Sequence, residues 1–483
     1  MSSELNFGKE HLPHIGNTPD EGIAMNQSIN KAAGTIPLVV ESNGAAMNEI
    51  SLKDAVEFIV DNRGKTAPTE SSGIALIATN CVNNKDLYPQ KLNLRFVSQH
   101  TYDTWFRAHP KPFDILLTNK GSQNGAVCLV PDPVDFCIAQ DMVALRADSK
   151  KISPLYLFAA LRSELVQKRI KALNVDAVIP HLKKTDFDKL MIPRPADRKT
   201  QDWIGQFHFE LASRIEQLRE TNATLEAMAQ ALFKSWFVDF DPVHANAGTQ
   251  APTLPPEVQA LFPSTFTDTP QGLVPEGWWI GQIADLADLN PESWTAKRHP
   301  ESVAYIDLAN AKNNVIADIA EFEFDDAPSR ARRVLRDGDT IVGTVRPGNR
   351  SFAFIYDAAS NFTGSTGFAV LRPKHQRNTA FVYLAATNDN SIEHLTHVAD
   401  GGAYPAVRPE VVANLTCVCP SDEVFDSFNA VAAELLIKIT KNHQQAQTLA
   451  TLRDTLLPRL ISGQLRLPEA AAEVQSAVEG NAG

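Results

Sequence analysis

Two groups of polar loop residues in this sequence have side chains that suit hydrogen bonding to nucleic acid. In the first half, the turn DNRGKTAPTES, the loop NKGSQNG and the turn VIPHLKKTDF each combine cations with glycine, amide or imidazole groups. Their candidate contact residues are Arg63, Lys65, Lys120, Gln123, Asn124, His181, Lys183 and Lys184. Amide side chains can bond an adenine edge, lysine can bond guanine, and clustered cations attract phosphate. Solvated basic turns and ordinary hairpins have the same composition, so both interpretations stay open.

The second half carries arginines in two turns that contain glycine. The loop VRPGNR presents Arg346, Asn349 and Arg350 around a Pro-Gly turn, and GGAYPAVRPE presents Tyr404 and Arg408 after two glycines. A tight turn can direct a guanidinium group into a DNA groove. For the second segment, a plain turn is the alternative.

Several catalytic motifs are absent from the sequence. It contains no GxxxxGKS or GxxxxGKT loop, no HExxH, no GxSxG and no Asn-Pro-Pro-aromatic run. Nucleotide chemistry, hydrolysis and methyl transfer therefore have no evident site in this chain, and we predict a non-catalytic protein. The five cysteines form no CxxC pair. Cys417 and Cys419 fall two apart on a predicted strand, so we expect buried thiols and no metal site.

Charge is distributed unevenly along the chain. The formal net charge of -12 over 483 residues argues against a general nucleic-acid coat protein, but it permits local recognition. Residues 51–200 carry six more Lys and Arg than Asp and Glu, whereas residues 278–420 carry four fewer. We therefore expect the clearer phosphate-binding surface in the first half. No run of about 18 apolar residues occurs, which favours a cytoplasmic protein.

The elements that must position these loops include two long helices. A seven-residue repeat runs through Ile204, Leu211, Leu218, Leu225 and Leu232, with Phe207 and Met228 beside it, and again through Phe428, Leu435, Asn442, Leu449 and Leu456. Each repeat predicts one narrow apolar stripe along a helix. Two such helices can form an antiparallel pair, in which the polar Asn442 fixes the register.

A shift of 225 residues aligns the two halves of the sequence. The segment from Ile179 to Lys183 falls on that from Tyr404 to Arg408, and DMVALR falls on GFAVLR one residue further along. The chain is therefore a tandem duplication of a mixed domain followed by a long helix. We predict a disordered extension (1–48), a first domain (49–200), a helix (201–241), a proline-rich linker (242–277), a second domain (278–420), a helix (421–467) and a disordered tail (468–483). Within the first domain, the apolar spacing from Ser153 to Leu173 predicts one helix.

Three segments carry a resemblance to a known family. ALFKSWFVDFDPV (231–243), LFPSTFTDTPQGLVPEGW (261–278) and TLLPRLISGQL (455–465) closely resemble the specificity subunit of type I restriction-modification systems, which defend cells against foreign DNA. The resemblance implies an α+β fold, in which two tandem target-recognition domains of mixed α/β structure are separated by a pair of long antiparallel coiled-coil helices. Each domain would read one half of a bipartite target in double-stranded DNA. The alternatives are a structural protein-protein adaptor and a self-sufficient methyltransferase or nuclease.

The same resemblance implies partner subunits. The paired helices and their flanks would dock two methyltransferase subunits, which carry S-adenosylmethionine, and two restriction/translocase subunits, which use ATP and Mg, would join them. This chain itself would hold no cofactor and no metal. The residues expected in helix pairing and subunit docking are Leu211, Leu218, Leu225, Leu232, Trp236, Phe237, Leu435, Leu449 and Leu456.

Overall fold

The structure is a computed structural model that describes residues 47–61, 65–91, 93–174, 179–465, 469–470 and 473. These residues divide into two compact units. The first unit combines the described residues up to Ser213 with those from Leu449 onward, and the second unit is Arg214–Thr448. The predicted disordered extension and tail lie outside the described residues, apart from Met47 and Asn48 at one end and residues 469–470 and 473 at the other.

The first unit combines short strands with helices. Its strands are β1 (Met47–Ser51), β2 (Val56–Asp61), β3 (Ile74–Ile77), β4 (Arg95–Val97), β5 (Ile115–Thr118), β6 (Val127–Leu129), β7 (Phe136–Ile138), β8 (Met142–Ala147) and β9 (Met191–Pro195). Its helices are α1 (Leu52–Ala55), α2 (Gln99–Trp105), α3 (Pro154–Arg162), α4 (Glu164–Ala172) and the first part of α5 (Arg198–Phe237).

These strands form three sheets. An antiparallel sheet has the order β2-β8-β5-β6, a second has the order β4-β3-β7 with β3 and β7 parallel, and β1 pairs with β9. Strands β5 and β6 are buried at every position. Their apolar runs ILLT and VCL fit a strand that is covered on both faces.

The helix predicted from Ser153 to Leu173 is wrong in one respect, because the structure has two helices there. Ser163 adopts an extended conformation (φ -63°, ψ 146°) between α3 and α4. Its hydroxyl accepts a hydrogen bond from the backbone N–H of Val166 and so caps α4. The apolar spacing continues through this break, which is why the sequence pattern conceals it.

The second unit has a similar composition of elements. Its strands are β10 (Phe266–Thr269), β11 (Gly272–Pro275), β12 (Trp279–Gln282), β13 (Ala287–Leu289), β14 (Ser302–Ile306), β15 (Ala311–Lys312), β16 (Val315–Ile316), β17 (Ala320–Glu323), β18 (Ala331–Val334), β19 (Thr340–Gly343), β20 (Phe352–Phe354), β21 (Phe362–Ser365), β22 (Phe368–Pro373) and β23 (Thr416–Cys419). Its helices are α6 (Asp241–Asn246), α7 (Pro256–Gln259), α8 (Ile283–Leu286), α9 (Thr379–Thr387), α10 (Asp389–Val398), α11 (Pro409–Ala413) and most of α12 (Asp422–Ile461).

The strand order of the second unit repeats that of the first. The sheet β13-β22-β19-β20 corresponds to β2-β8-β5-β6, and the pair β12-β23 corresponds to β1-β9. Strands β14 and β21 are parallel, like β3 and β7. The second unit adds β18 to this sheet and adds the hairpins β10-β11 and β15-β16. The chain is therefore an α+β protein with two copies of one mixed fold.

A buried ion pair occurs at equivalent positions of the two units. In the first unit, Arg146 donates two hydrogen bonds to Asp114, at 3.0 and 2.8 Å. In the second unit, Arg372 donates two to Asp339, both at 2.8 Å. Asp114 and Asp339 are both buried, and their positions differ by the 225 residues of the sequence shift. The duplication of the chain therefore includes a buried carboxylate, whose desolvation is unfavourable, together with its arginine partner.

The long helices α5 and α12 pair antiparallel. Within the second unit, Asn222 of α5 lies against Asn442 of α12, and further along α5 the ring of Trp236 lies 5.6 Å from that of Phe428. The partner position falls along α12 as the position on α5 rises, so the helices run in opposite directions. Asn442 donates a 2.8 Å hydrogen bond to the side-chain oxygen of Asn222, and both side chains are buried.

The buried face of α5 is wider than the single repeat identified in the sequence. Leu211 and Leu218 are buried, Leu225 and Leu232 are partly buried, and Met228 is 53% exposed. The predicted role of Met228 is therefore wrong. A second series, comprising Ile215, Asn222, Ala229 and Trp236, lies buried beside the first. Two interleaved series at seven-residue spacing are the pattern of a coiled-coil seam.

The segment predicted as a proline-rich linker, 242–277, contains more regular structure than a linker requires. It contains part of α6, all of α7 and the hairpin β10-β11. Val243 and Phe262 are buried in the core of the second unit. The prolines do prevent one continuous helix, but they start short ones, since α6 and α7 each have proline in the first turn.

Candidate nucleic-acid interface

In the first unit, the loop after β5 and the turn before β9 are joined through their main chains. The N–H of Gly121 donates to the carbonyl of Pro180, and the N–H of Leu182 donates to that of Asn119, both at 2.9 Å. Lys120 and His181 face each other across this short antiparallel bridge. We call this arrangement the latch. It brings two of the predicted polar segments together.

A side-chain contact joins the third predicted polar segment, which begins at Asp61, to the turn that contains Lys184. Lys184 forms an ion pair with Asp61 at the end of β2, and the exposed Lys65 follows four residues later. Lys183 and Gln123 are exposed as well. Arg63 lies outside the described residues. The three predicted segments therefore contribute to one polar surface, although their separation in sequence is as large as 123 residues.

Asn124 requires a correction. Its side-chain amide donates to Asn174 at 2.6 Å, and its side-chain oxygen accepts from the backbone N–H of Leu182 at 3.2 Å. Both polar ends of the side chain thus hold the loop in place. Asn124 is a structural residue of the latch, and its expected contact with a base is not supported.

The second unit contains the same latch. Arg346 donates its backbone N–H to the carbonyl of Pro405 at 2.7 Å, and Val407 donates to Thr344 at 2.9 Å. Val345 and Ala406 form the bridge. Every one of these positions lies 225 residues after its counterpart in the first unit. The side chains on the latch differ between the units, whereas the main-chain bonds are the same.

The arginines of this second latch have different surroundings. The guanidinium of Arg346 stacks on the ring of Tyr404, 4.6 Å from its centroid, and Tyr404 is 70% exposed. Arg350 instead donates to Asn313 at 2.9 Å and to Asp389 at 2.8 Å. Arg350 is therefore committed to fixing the loop, which corrects its expected role as a free base contact. Asn349 and Arg408 are exposed, and Arg408 immediately precedes α11.

Both arginines adopt left-handed backbone conformations. Arg346 has φ 49° and Arg350 has φ 60°. The equivalent positions of the first unit are Gly121 and Gly125, which also have positive φ. Left-handed geometry costs a residue with a Cβ roughly 1 kcal/mol or more, whereas glycine adopts it freely. Residue types alone do not reveal this feature, although alignment of the two halves places the arginines opposite the glycines.

The apolar residues predicted for helix pairing and subunit docking mostly pack against other residues of their own unit. Trp236 and Phe237 pack on Phe428 with ring centroids 5.6 and 4.8 Å apart, and both are buried. Both residues therefore take part in the predicted pairing of the long helices, and their buried rings leave little area for a partner subunit. In the first unit, Leu211 and Leu456 are buried in the core, and Leu449 packs against it. In the second unit, Leu435 packs partly buried against the core.

Chemistry at a metal or thiol has little support in the structure. Within the described ranges, no group of three or more His, Cys, Asp or Glu side chains could hold a metal ion. Cys128, Cys137, Cys417 and Cys419 are free thiols, and only Cys417 among them is not fully buried. Burial raises the pKa of Cys137 to about 12, so its thiol is protonated and unreactive at neutral pH. Among the described residues, the helices are all too short or too polar to span a membrane.

The duplicated α+β fold with two long helices has a counterpart among solved structures. A crystal structure of the type-I restriction-modification system S subunit from M. genitalium shares this fold, with a TM-score of 0.56 and 14% sequence identity over 88% of this chain and 99% of that one. Residues 50–227 match the family model of the type I restriction modification DNA specificity domain. The predicted resemblance to type I restriction-modification specificity subunits is thus confirmed.

Two specificity subunits are similar to this chain over most of their length. The HindI specificity subunit of Haemophilus influenzae is 22% identical over an alignment of 409 residues, and the match covers 74% of this chain and 87% of that protein. The MjaIX specificity subunit of Methanocaldococcus jannaschii is 20% identical over 318 residues, which are 65% of this chain and 69% of that protein.

Proposed function

We propose that this chain is the DNA-recognition subunit of a type I restriction-modification complex, and that each unit reads one half of a bipartite target. The observation that carries the proposal is the latch, which recurs with the same main-chain bonds and different side chains. Main-chain bonds that are the same in both units, with polar side chains that differ between them, suit two domains that recognise different DNA sequences. The alternative of a protein-protein adaptor has no support, because the matched family is a DNA specificity domain.

The paired helices act in this proposal as the spacer between the two half-sites. Each helix has 40 residues, which corresponds to about 60 Å at 1.5 Å per residue. That length equals roughly 17 base pairs at 3.4 Å each, enough for two short half-sites and an unread gap. The buried Asn222–Asn442 pair supports a fixed register between the helices.

The partner subunits belong to the same proposal. Two methyltransferase subunits would supply S-adenosylmethionine, and two restriction/translocase subunits would supply ATP hydrolysis with Mg, in the cytoplasm. The internal duplication supports a pair of identical partners, because a pseudo-two-fold repeat can present equivalent surfaces twice. This chain would contribute recognition and no catalytic group.

The test is a map of DNA methylation in cells that express the full-length chain with its methyltransferase partner. We expect one bipartite motif with two defined half-sites and a gap of constant length. A continuous motif, or methylation without sequence preference, would refute two separate readers. Methyl transfer by the purified chain alone would refute the non-catalytic assignment.

A second experiment tests the spacer. Removal of residues 214–220 together with 444–450 deletes one seven-residue repeat from each helix at positions that face each other by the register of the Asn pair. About 10 Å is lost, so the gap should shorten by roughly three base pairs while both half-sites are kept. Deletion from one helix alone is the control, since it mismatches the seam and should destabilise the protein. An unchanged gap in the double deletion would contradict the spacer role.

A further inference from the structure

The positions with left-handed backbone conformation hold glycine in the first latch and arginine in the second. In the first unit they are Gly121 (φ 93°) and Gly125 (φ 90°), as expected of backbone that disfavours a Cβ. In the second unit they are Arg346 and Arg350, with φ of 49° and 60°. Arginine gains nothing from this conformation locally, so strain of this kind points to a requirement elsewhere.

Arg350 has a structural reason to occupy its position. Its guanidinium bonds the side chain of Asn313 and pairs with Asp389, and its carbonyl accepts the backbone N–H of Asn313 at 2.9 Å. These contacts connect the latch loop to the hairpin β15-β16 and to α10. They give the side chain of Arg350 a structural role in the loop.

Arg346 has no comparable set of contacts. Its guanidinium donates one hydrogen bond to the carbonyl of Ala403, at 2.9 Å, and otherwise stacks on the exposed ring of Tyr404. It has no acidic partner within the part of the chain that the structure describes. A guanidinium carries five N–H groups, so most of its donors remain for a ligand. Internal contacts therefore leave the strained backbone of Arg346 unexplained.

The geometry around Arg346 suits an oriented ligand. The contact of the guanidinium with the ring of Tyr404 and its bond to Ala403 restrict the orientation of the guanidinium, while the backbone of Arg346 is fixed by the latch bond to Pro405. A phosphate contact needs charge but little orientation, whereas the O6 and N7 atoms of guanine accept two parallel N–H bonds from an oriented arginine. A restricted orientation therefore favours a base edge over the DNA backbone.

We propose that Arg346 reads a guanine in the half-site of the second unit and that Tyr404 is the residue that positions it. This inference rests on the proposed function, because it names the chemistry of one reader. The equivalent residues of the first unit are Gly121 and Ile179, so the first unit reads its half-site without this pair. The two halves of the target are therefore recognised by different chemistry.

The test compares substitutions in the full-length chain, expressed with its methyltransferase partner, by mapping methylated sites. We expect a guanine in one half-site of the wild type. Arg346→Gly, which installs the residue of the first unit, should reduce discrimination at that single position by roughly 5- to 150-fold, the range for one good bidentate contact. The other half-site should be unchanged. Arg346→Lys should retain part of the discrimination, because lysine bonds guanine less specifically.

Substitutions of Tyr404 distinguish a role in positioning Arg346 from a general loss of folded structure. Tyr404→Phe keeps the stacking ring and should retain discrimination, whereas Tyr404→Leu should reduce it at the same guanine as Arg346→Gly. Thermal denaturation of the purified chain provides the folding control. Arg346→Gly should not lower the melting temperature, because glycine suits the left-handed backbone.

The outcomes distinguish this inference from the proposed function. A bipartite motif that keeps full stringency in Arg346→Gly overturns the role of Arg346 alone, as does a wild-type motif without guanine. A lower melting temperature in Arg346→Gly means that the arginine is structural and also overturns it. Equal loss in Tyr404→Phe and Tyr404→Leu overturns the stacking role of Tyr404. Absence of any bipartite motif in the wild type refutes the proposed function itself.

Discussion

The buried asparagine pair between the long helices gives a prediction that can be worked out quantitatively. Asn442 donates to the side-chain oxygen of Asn222 at 2.8 Å, and Asn222 donates to the carbonyl of Ile439 at 3.1 Å. Only 3% of Asn442 and 5% of Asn222 are exposed. The perturbation is replacement of each asparagine by leucine, singly and together.

The single and double substitutions should change the free energy of unfolding by different amounts or in opposite directions. Asn442→Leu leaves the side-chain oxygen of Asn222 buried without its donor, which costs about 1–3 kcal/mol. The double substitution removes both polar groups from an apolar seam, so it should be close to neutral or stabilising. The coupling energy between the two sites is therefore expected to be about 1–3 kcal/mol.

The assay is a double-mutant cycle measured by thermal denaturation of the full-length chain. Each kcal/mol should shift the transition of a unit this size by about 2–4 °C. Met228→Asn, at an exposed position of the same helix, is the matched control and should change stability by less than about 0.5 kcal/mol. If the double variant lost as much stability as the two single variants added together, the side chains would not be coupled and the hydrogen bond would have no energetic role.

Three further predictions concern single side chains. Burial lowers the pKa of His443 to about 4, so the folded state favours the neutral imidazole. Its contribution to the free energy of unfolding is present above about pH 6.5 and should fall by about 1–2 kcal/mol by pH 5. Burial also lowers the pKa of His208, so denaturation curves of His443→Gln should lose only the part of the pH dependence that His443 carries. Asp339→Ala should cost about 1–3 kcal/mol in urea unfolding, because the partly exposed Arg372 loses its buried partner but keeps its ion pair with Glu292; an unchanged stability would contradict that role. Gly205→Ala should lower the melting temperature despite the better helix propensity of alanine, since its Cβ would lie 2.4 Å from the backbone nitrogen of Tyr156; a higher melting temperature would contradict this packing.

The periodic parts of the fold could be predicted from the sequence, and the local exceptions could not. The seven-residue repeats led to both long helices because apolar residues mark the buried stripe. The second stripe was missed because Asn222 and Ala229 are not recognisable as buried from their type alone. The break at Ser163 was missed for the opposite reason, since the apolar spacing on either side is continuous. Capping by a serine hydroxyl competes with helix continuation, and the pattern does not show which one prevails.

The equivalent places of the polar loops could be predicted from the sequence, but the internal contacts of each side chain could not. The polar loops were identified by composition, and the 225-residue shift implied that they occupy equivalent places. Which side chains are committed to the loop depends on distant partners, as with Asn124 and Asn174 or Arg350 and Asp389. No local sequence pattern identifies hydrogen-bond partners that are so distant in the chain. The left-handed arginines were detectable in principle, because their aligned counterparts are glycines.

The latch has a consequence for how such a protein can change over generations. Its two main-chain bonds require no particular side chain at the bonded positions, as Gly121 and Arg346 demonstrate. Mutation can therefore change the side chains of the loop while the two main-chain bonds that support it are kept. Novel preferences would then arise by small steps in one copy, and the other copy would preserve its ancestral preference.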